Sequence, residues 1–391
     1  MIRIVNNKNF KYLFYLMCNI LIYPFDLILE SLSSFGTYGK LAIRLIPMFA
    51  VCLLYLIKVL KYKRINIYNI LIFVLIIATA IISLSHRTVD IEGTLYQNSI
   101  IAFSLLCLVS IGIENDYVIF CKISYVYLYL IVVINILFSI VLNSEILAFL
   151  FTNKENAFIY NFPLILFGFI LQEKKAFKKI ELFNIISYFL IISWSIYTKT
   201  LGTFFSLTLL IVFKLFFNKQ KYKILNVWTY IVVVVLFMVI FVLPGANNPF
   251  MNIVSRLFGK ELGFSGRDVI YGTTINSIKN SLLFGYGFIL TEYSMELTQI
   301  GKPHNMFLDY FLYYGIILFV YYLYVIRYVI ITIVKNNVKT ISRFLLFALF
   351  CLYFKGMIES AMQDKVVYWL SLLYYFNDNY KDNYIYLGST R

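Results

Sequence analysis

Charge is scarce in this chain, and acid is scarcer than base. Only 14% of its 391 residues are charged, with 19 Asp and Glu against 34 Lys and Arg. Soluble domains run near about one quarter charged, so a soluble enzyme is excluded. Histidine occurs only at His86 and His304, without a carboxylate cluster, which argues against a zinc site. No acidic DxD pair dominates the connections; Asp90-Ile91-Glu92 comes nearest and reads as a solvated turn. The phosphate-cradling pattern GxxxxGK[ST] is missing, so ATP-driven work is disfavoured. Cys18, Cys52, Cys107, Cys121 and Cys351 have no CxxC partner and lie in or beside apolar runs, so they read as packing residues. Arg3, Lys8 and Lys11 before an apolar run resemble a signal peptide, but no small-residue cleavage site follows, and the run reads as a retained first span.

What the chain has instead is apolar length. Hydrophobic residues make up 61% of it, aromatics 19%, and the mean hydropathy is +0.82. A hydrocarbon core of roughly 30 Å needs about 20 apolar residues per helix, so the chain holds about twelve spans. They are placed at 10–30, 41–60, 67–85, 97–113, 117–142, 157–171, 182–198, 200–217, 226–243, 304–326, 341–358 and 366–377. The expected fold is an all-α polytopic membrane protein, residues 1–391 forming one integral membrane domain. The pair 182–217 is joined by almost nothing, which predicts a tight helical hairpin. Basic clusters around Lys11, Lys61, Lys122, Lys175, Lys221, Lys335 and Lys381 fall in alternate connections, which puts both termini in the cytoplasm. The net charge of +15 thus reflects membrane orientation and attraction to lipid head groups, and a nucleic-acid partner is rejected. No internal repeat or inverted pair of broken helices suggests a secondary transporter.

One connection is long: residues 244–303, between the ninth and tenth spans and on the external face. A long loop rich in apolar residues usually carries function and should fold back onto the membrane face. Ser265-Gly266-Arg267-Asp268 precedes apolar residues at 270, 271, 274/275 and 278, the spacing of a helix whose N-cap is Ser265. Arg267 then lies in its first turn, where free N–H groups and a guanidinium fork suit a phosphate. An interfacial arginine also serves by snorkelling to lipid phosphates. Arg256 is a second cation upstream. The helix should end near Asn280, and Gly285-Tyr286-Gly287 reads as a flexible turn. Pro303 suits a first helical position, so His304 opens the next span as a candidate base for a sugar hydroxyl. A histidine there is also compatible with an inert interfacial role. Lys355 and Glu359, spaced i,i+4 near the outer end of a span, are candidates because charge inside a span is costly, though they suit a mutual pair equally well.

Arg267 before a helix, Gly285-Tyr286-Gly287, and Pro303-His304-Asn305 followed by Asp309-Tyr310 and Gly315 together resemble the O-antigen polymerase and O-antigen ligase superfamily. The resemblance covers the topology loosely and residues about 265–320 specifically, the His-Asn element most sharply. It implies a bacterial inner-membrane glycosyltransferase, metal-independent and inverting, whose substrate is an oligosaccharide on undecaprenyl pyrophosphate. By position, His304 would orient or deprotonate the attacking hydroxyl and Arg267 would hold the pyrophosphate; Asn305 and the upstream cation Arg256 are further candidate binding residues. Where relatives often carry a Ser-Arg-Gly element, this chain has Thr198-Lys199-Thr200-Leu201-Gly202, so Lys199 offers a point charge in place of a fork. No cofactor is implied; a chain-length regulator protein is an additional partner. The leading expectation is a polymerase of O-antigen, capsule or exopolysaccharide repeat units. A ligase is the rival among enzymes, and a flippase for lipid-linked sugars the rival of another class.

Overall fold

A computed structural model of the chain describes residues 8–22, 36–85, 99–142, 157–197, 201–217, 232, 267–287, 305–335, 340–358 and 363–387. These form α1 (Lys8–Ile22), α2 (Gly36–Tyr62), β1 (Arg64–Asn66), α3 (Ile67–Ser85), α4 (Ala102–Leu142), α5 (Ala157–Glu173) and α6 (Ile180–Tyr197). There follow α7 (Leu201–Val212) with a π turn (Phe213–Phe217), α8 (Arg267–Asn280), α9 (Met306–Val334), α10 (Thr340–Ile358), α11 (Gln363–Tyr375), a 3-10 turn (Asp378–Asp382) and β2 (Tyr384–Tyr386). Among the described residues, five stretches are long and apolar enough to cross a membrane: Leu45–Tyr62, Ile67–Ser85, Ser99–Leu137, Met306–Val334 and Thr340–Met357. Phe158–Glu173, Ile180–Ile196 and Gly202–Leu215 are shorter apolar helices. The expected span 226–243 lies outside the described residues apart from 232.

Two of the long helices are folded back on themselves. In α4 the backbone leaves helical geometry at Asp116, and a Cβ placed on Gly112 would lie 2.5 Å from the ring of Phe120. Eight residues of continuous helix advance about 12 Å, so the chain reverses between them. This is where the sequence analysis separates 97–113 from 117–142. The second reversal was not expected. Gly315 in α9 has φ 68° and ψ −176°, a region essentially confined to glycine. Beyond it Tyr310 stacks on Tyr322 with ring centroids 4.3 Å apart, and Phe311 on Phe319 at 5.2 Å. Twelve residues of straight helix would separate the first pair by about 18 Å. The expected single span 304–326 is therefore a hairpin of two limbs, 306–314 and 316–334, because hydropathy registers apolar residues and not a turn between them.

The surface is more apolar than a water-facing one: Ile46, Phe49, Leu60 and Phe189 are each at least 70% exposed. Inside, tyrosines and amides are buried and bonded to one another, as the bilayer requires of polar groups. The densest network joins segments that the charge bias assigns to one side. Lys58 Nζ lies 2.8 Å from Glu114 Oε2, and Ser110 Oγ donates to Glu114 Oε1 at 2.7 Å. Tyr375 OH donates to Asn69 Oδ1 at 2.7 Å, and Tyr374 OH to Asn66 Oδ1 at 2.8 Å. Lys11 pairs with Asp116 at 2.6 Å. A two-stranded antiparallel sheet, absent from the all-α expectation, pairs Arg64 with Tyr386 and Asn66 with Tyr384. All five cysteines are free, and four are buried.

Two stability tests follow. Gly315→Ala should lower stability by about 1–3 kcal/mol from backbone strain alone, and its Cβ would meet Leu283 O at 2.2 Å. Gly272→Ala, with open space around it in α8, should hold or slightly raise the melting temperature. Thermal unfolding in one detergent compares them; equal effects would show that the reversal does not need glycine.

Glu114 and Lys58 are 6% and 12% exposed at the side chain. Glu114→Leu alone should cost about 3–5 kcal/mol by leaving an ammonium buried, and Lys58→Met with Glu114→Leu should recover most of it. A double variant as unstable as the single one would remove the pair from the account.

Candidate functional site at one end of the bundle

The site is built where the long loop meets α9 and α10. α8 begins at Arg267, as its spacing predicts, and buries Ile270, Tyr271, Thr274 and Ile278, the face the sequence marks as apolar. α8 packs on α9. After α8 the chain lies along the bend of α9. Tyr286 N donates to Leu312 O at 3.0 Å, Gly287 N to Tyr313 O at 2.7 Å, and Ile316 N to Leu282 O at 2.9 Å. Gly285 and Gly287 have φ of 68° and 74°, and a Cβ on Gly285 would fall 2.5 Å from the Tyr313 carbonyl carbon. Gly285-Tyr286-Gly287 is thus pinned rather than flexible; its glycines permit close backbone approach. Tyr286 OH locks the turn by donating to Ser277 O at 2.9 Å.

Asn305, fully buried, organises the start of α9. Its Oδ1 accepts from Phe307 N at 3.0 Å and Leu308 N at 3.1 Å, capping the helix. Its Nδ2 donates to Met357 O at 3.0 Å, tying that cap to the end of α10. Met306 closes the joint against Gly356, where a Cβ would meet Met306 Cε at 2.7 Å. The residue before this clamp is His304. Two positions before Met357 on α10 is Lys355, buried, with its ammonium 5.8 Å from the centre of the Phe158 ring. Asp309, in the first turn of α9, is also buried.

Of the residues singled out from the sequence, Asn305 and Lys355 are thereby brought to one joint, and the helix that starts at Arg267 docks on the same α9. His304, Arg256, Lys199 and Glu359 lie outside the described residues, as does the side chain of Arg267, so the Lys355–Glu359 pairing is not among the described contacts. The sequence analysis missed Tyr322 and Tyr353, whose hydroxyls lie 3.3 Å apart behind the clamp; one tyrosine among 34 carries no signal of position.

Asn305→Ala should remove the cap and leave the Met357 carbonyl unpaired, at a cost of about 1–2 kcal/mol. Asn305→Asp keeps the cap acceptor but loses the donor to Met357 and should fall between the two in thermal unfolding. If Asn305→Asp matched wild type in melting temperature and function, the tie to α10 would be unimportant.

Compared with the curated proteins, the chain matches none. Against protein-family models, residues 186–323 match the family described as O-antigen ligase. The matched stretch runs from within α6, through α7 and α8, past Asn305 to the hairpin of α9, and so contains the α9 side of the joint but not α10. Over residues 186–323, this multi-pass membrane protein is therefore similar to the O-antigen ligase family.

Proposed function

We propose that the protein is a polymerase of lipid-linked oligosaccharide repeat units, acting at the outer face of the bacterial cytoplasmic membrane with about twelve spans and both termini inside. The observation that carries this reading is the clamp of Asn305 on Met357, which sets the residue after His304 against the end of α10 that bears Lys355. In the reaction, a sugar hydroxyl of one glycan attacks the anomeric carbon of another. The bond from that carbon to the phosphate oxygen breaks, and undecaprenyl pyrophosphate leaves with the electron pair. His304 accepts or directs the hydroxyl proton, and its near-neutral reference pKa suits the exchange. Arg267, at the N-terminus of α8, holds the pyrophosphate with the free N–H groups of that helix. Arg256, Lys199 and Lys355 add positive charge around the same group, and Asn305 caps the helix that follows His304. A chain-length regulator would act on this enzyme from outside the site.

The second reading is a ligase, which the description of the matching family favours. It uses the same donor and machinery, with the acceptor changed from a growing glycan to a lipid core. Polymerase is placed first because every connection except 244–303 is short, which leaves little external chain to recognise a second kind of acceptor.

The test is complementation of a polymerase-deficient strain at matched membrane abundance. His304→Ala and Arg267→Ala should each cut long-chain polysaccharide by about 100-fold or more, with single lipid-linked repeat units retained on the external face. Full-length glycan in both variants would remove these residues from the mechanism. Finished polymer left unattached on its lipid in a deletion strain would make the protein a ligase, and repeat units trapped inside would make it a transporter.

A further inference from the structure

We infer that the amide of Asn161 and the indole of Trp369 form a specificity site for the sugar of the lipid-linked donor. The inference rests on the glycosyl-transfer reading above. Asn161 lies on α5 at 1% exposure, and among the described residues neither its Oδ1 nor its Nδ2 has a hydrogen-bond partner. Trp369 on α11 is 3% exposed, and its Nε1–H is likewise unpartnered. The two are neighbours through rings. Phe158 and Phe162, one turn apart on α5 and stacked at 5.2 Å, both meet Trp369, at 5.5 Å and 6.0 Å. Asn161 belongs to that same turn. Phe158 is also the ring beneath the ammonium of Lys355, the residue two positions from the carbonyl that clamps Asn305. Trp369 and the turn that carries Asn161 are therefore linked through Phe158 to the end of α10 on which Asn305 is clamped.

A buried amide with no partner is costly, the more so where the surrounding bilayer offers no hydrogen bond. Two such residues on packed helices, flanked by Phe158 and Phe162 with a buried ammonium over the Phe158 ring, combine apolar walls with a few polar groups, the usual composition of a small-molecule site. The donors and acceptor suit vicinal sugar hydroxyls or an N-acyl group, and Lys355 suits the adjoining pyrophosphate. Because unpaired buried groups penalise any ligand that fails to meet them, the socket would select among sugars by their hydroxyl pattern.

The experiment uses the full chain in lipid nanodiscs, comparing wild type with Asn161→Leu, Trp369→Phe and Lys355→Met. The probes are the lipid-linked repeat unit that accumulates in the polymerase-deficient strain and undecaprenyl pyrophosphate without sugar. Asn161→Leu and Trp369→Phe should weaken binding of the sugar-bearing lipid about tenfold and leave the bare lipid unaffected. Lys355→Met should weaken both. Asn161→Leu should melt at or above the wild-type temperature, since it removes unpaired groups from the interior, which separates lost recognition from lost folding. Unchanged binding of the sugar-bearing lipid in both variants, or equal loss for the two probes, would overturn the assignment. Wild-type binding without chain extension would instead sink the polymerase reading and leave the socket standing.

Discussion

Backbone hydrogen bonds between 282–287 and the reversal at Gly315 couple the long loop to the bundle. A loop that meets a membrane protein only through side chains can slide. One that pairs its N–H and C=O groups with a helix bend is held in register, because each unpaired group in an apolar setting costs free energy. The bend supplies those groups only because its backbone is not helical there, and Gly315 is the residue that permits it. Gly285 answers from the loop side by letting the two backbones touch. From this contact α8, and with it the N-terminus at Arg267, is oriented on α9. The same hairpin brings Met306 against α10 and stacks Tyr310 on Tyr322.

The two ends of the bundle treat polarity differently. Where β1 and β2 pair, charges are matched to charges and amides to phenols: Lys58 with Glu114, Lys11 with Asp116, Asn69 with Tyr375. The guanidinium of Arg64 sits 4.7 Å from the ring centre of Tyr384, adding cation–π attraction to the strand pairing. Burying ion pairs gains little net stability, but breaking one is expensive, so such a network favours a single arrangement of the segments it joins. That arrangement gathers the chain's two described ends, α1 and β2, with the turns after α2 and within α4. It is a scaffold that fixes helix positions at a distance from the clamp on α10.

Much of this architecture is legible as periodicity and charge. The break between 97–113 and 117–142 was readable because Glu114, Asn115 and Asp116 interrupt an apolar run, and α8 because its apolar residues recur at helical spacing. The reversal at Gly315 was not, since a glycine between tyrosines and isoleucines leaves hydropathy unchanged. Nor was the β1–β2 pair: three-residue strands more than 300 positions apart have no local period to detect. At the site, Asn305 was readable from its place after His304, yet its bond to Met357 depends on tertiary packing. Asn161 was overlooked because one amide in an apolar run weighs little in a hydropathy window, although its energetic weight in a bilayer is large.

That mismatch between compositional and energetic weight explains where function concentrates in a chain so poor in charge. Few polar side chains can be carried into the membrane, so each must be satisfied by another or by something that binds. At the β1–β2 end the ionic groups satisfy one another, and the result is rigidity. Among the described residues Asn161 and Trp369 have no such partner, and the Phe158 ring that meets Trp369 also lies beneath the ammonium of Lys355. A catalyst for glycosyl transfer needs a held hydroxyl, a held pyrophosphate and a reason to prefer one sugar over another. Asn305 bears on the first, the N-terminus of α8 on the second, and the unpaired amide and indole on the third. On the proposed reading these groups come from α5, α8, α9 and α11, and the reversal at Gly315 and the bond of Asn305 to Met357 are what seat α9 against α8 and α10.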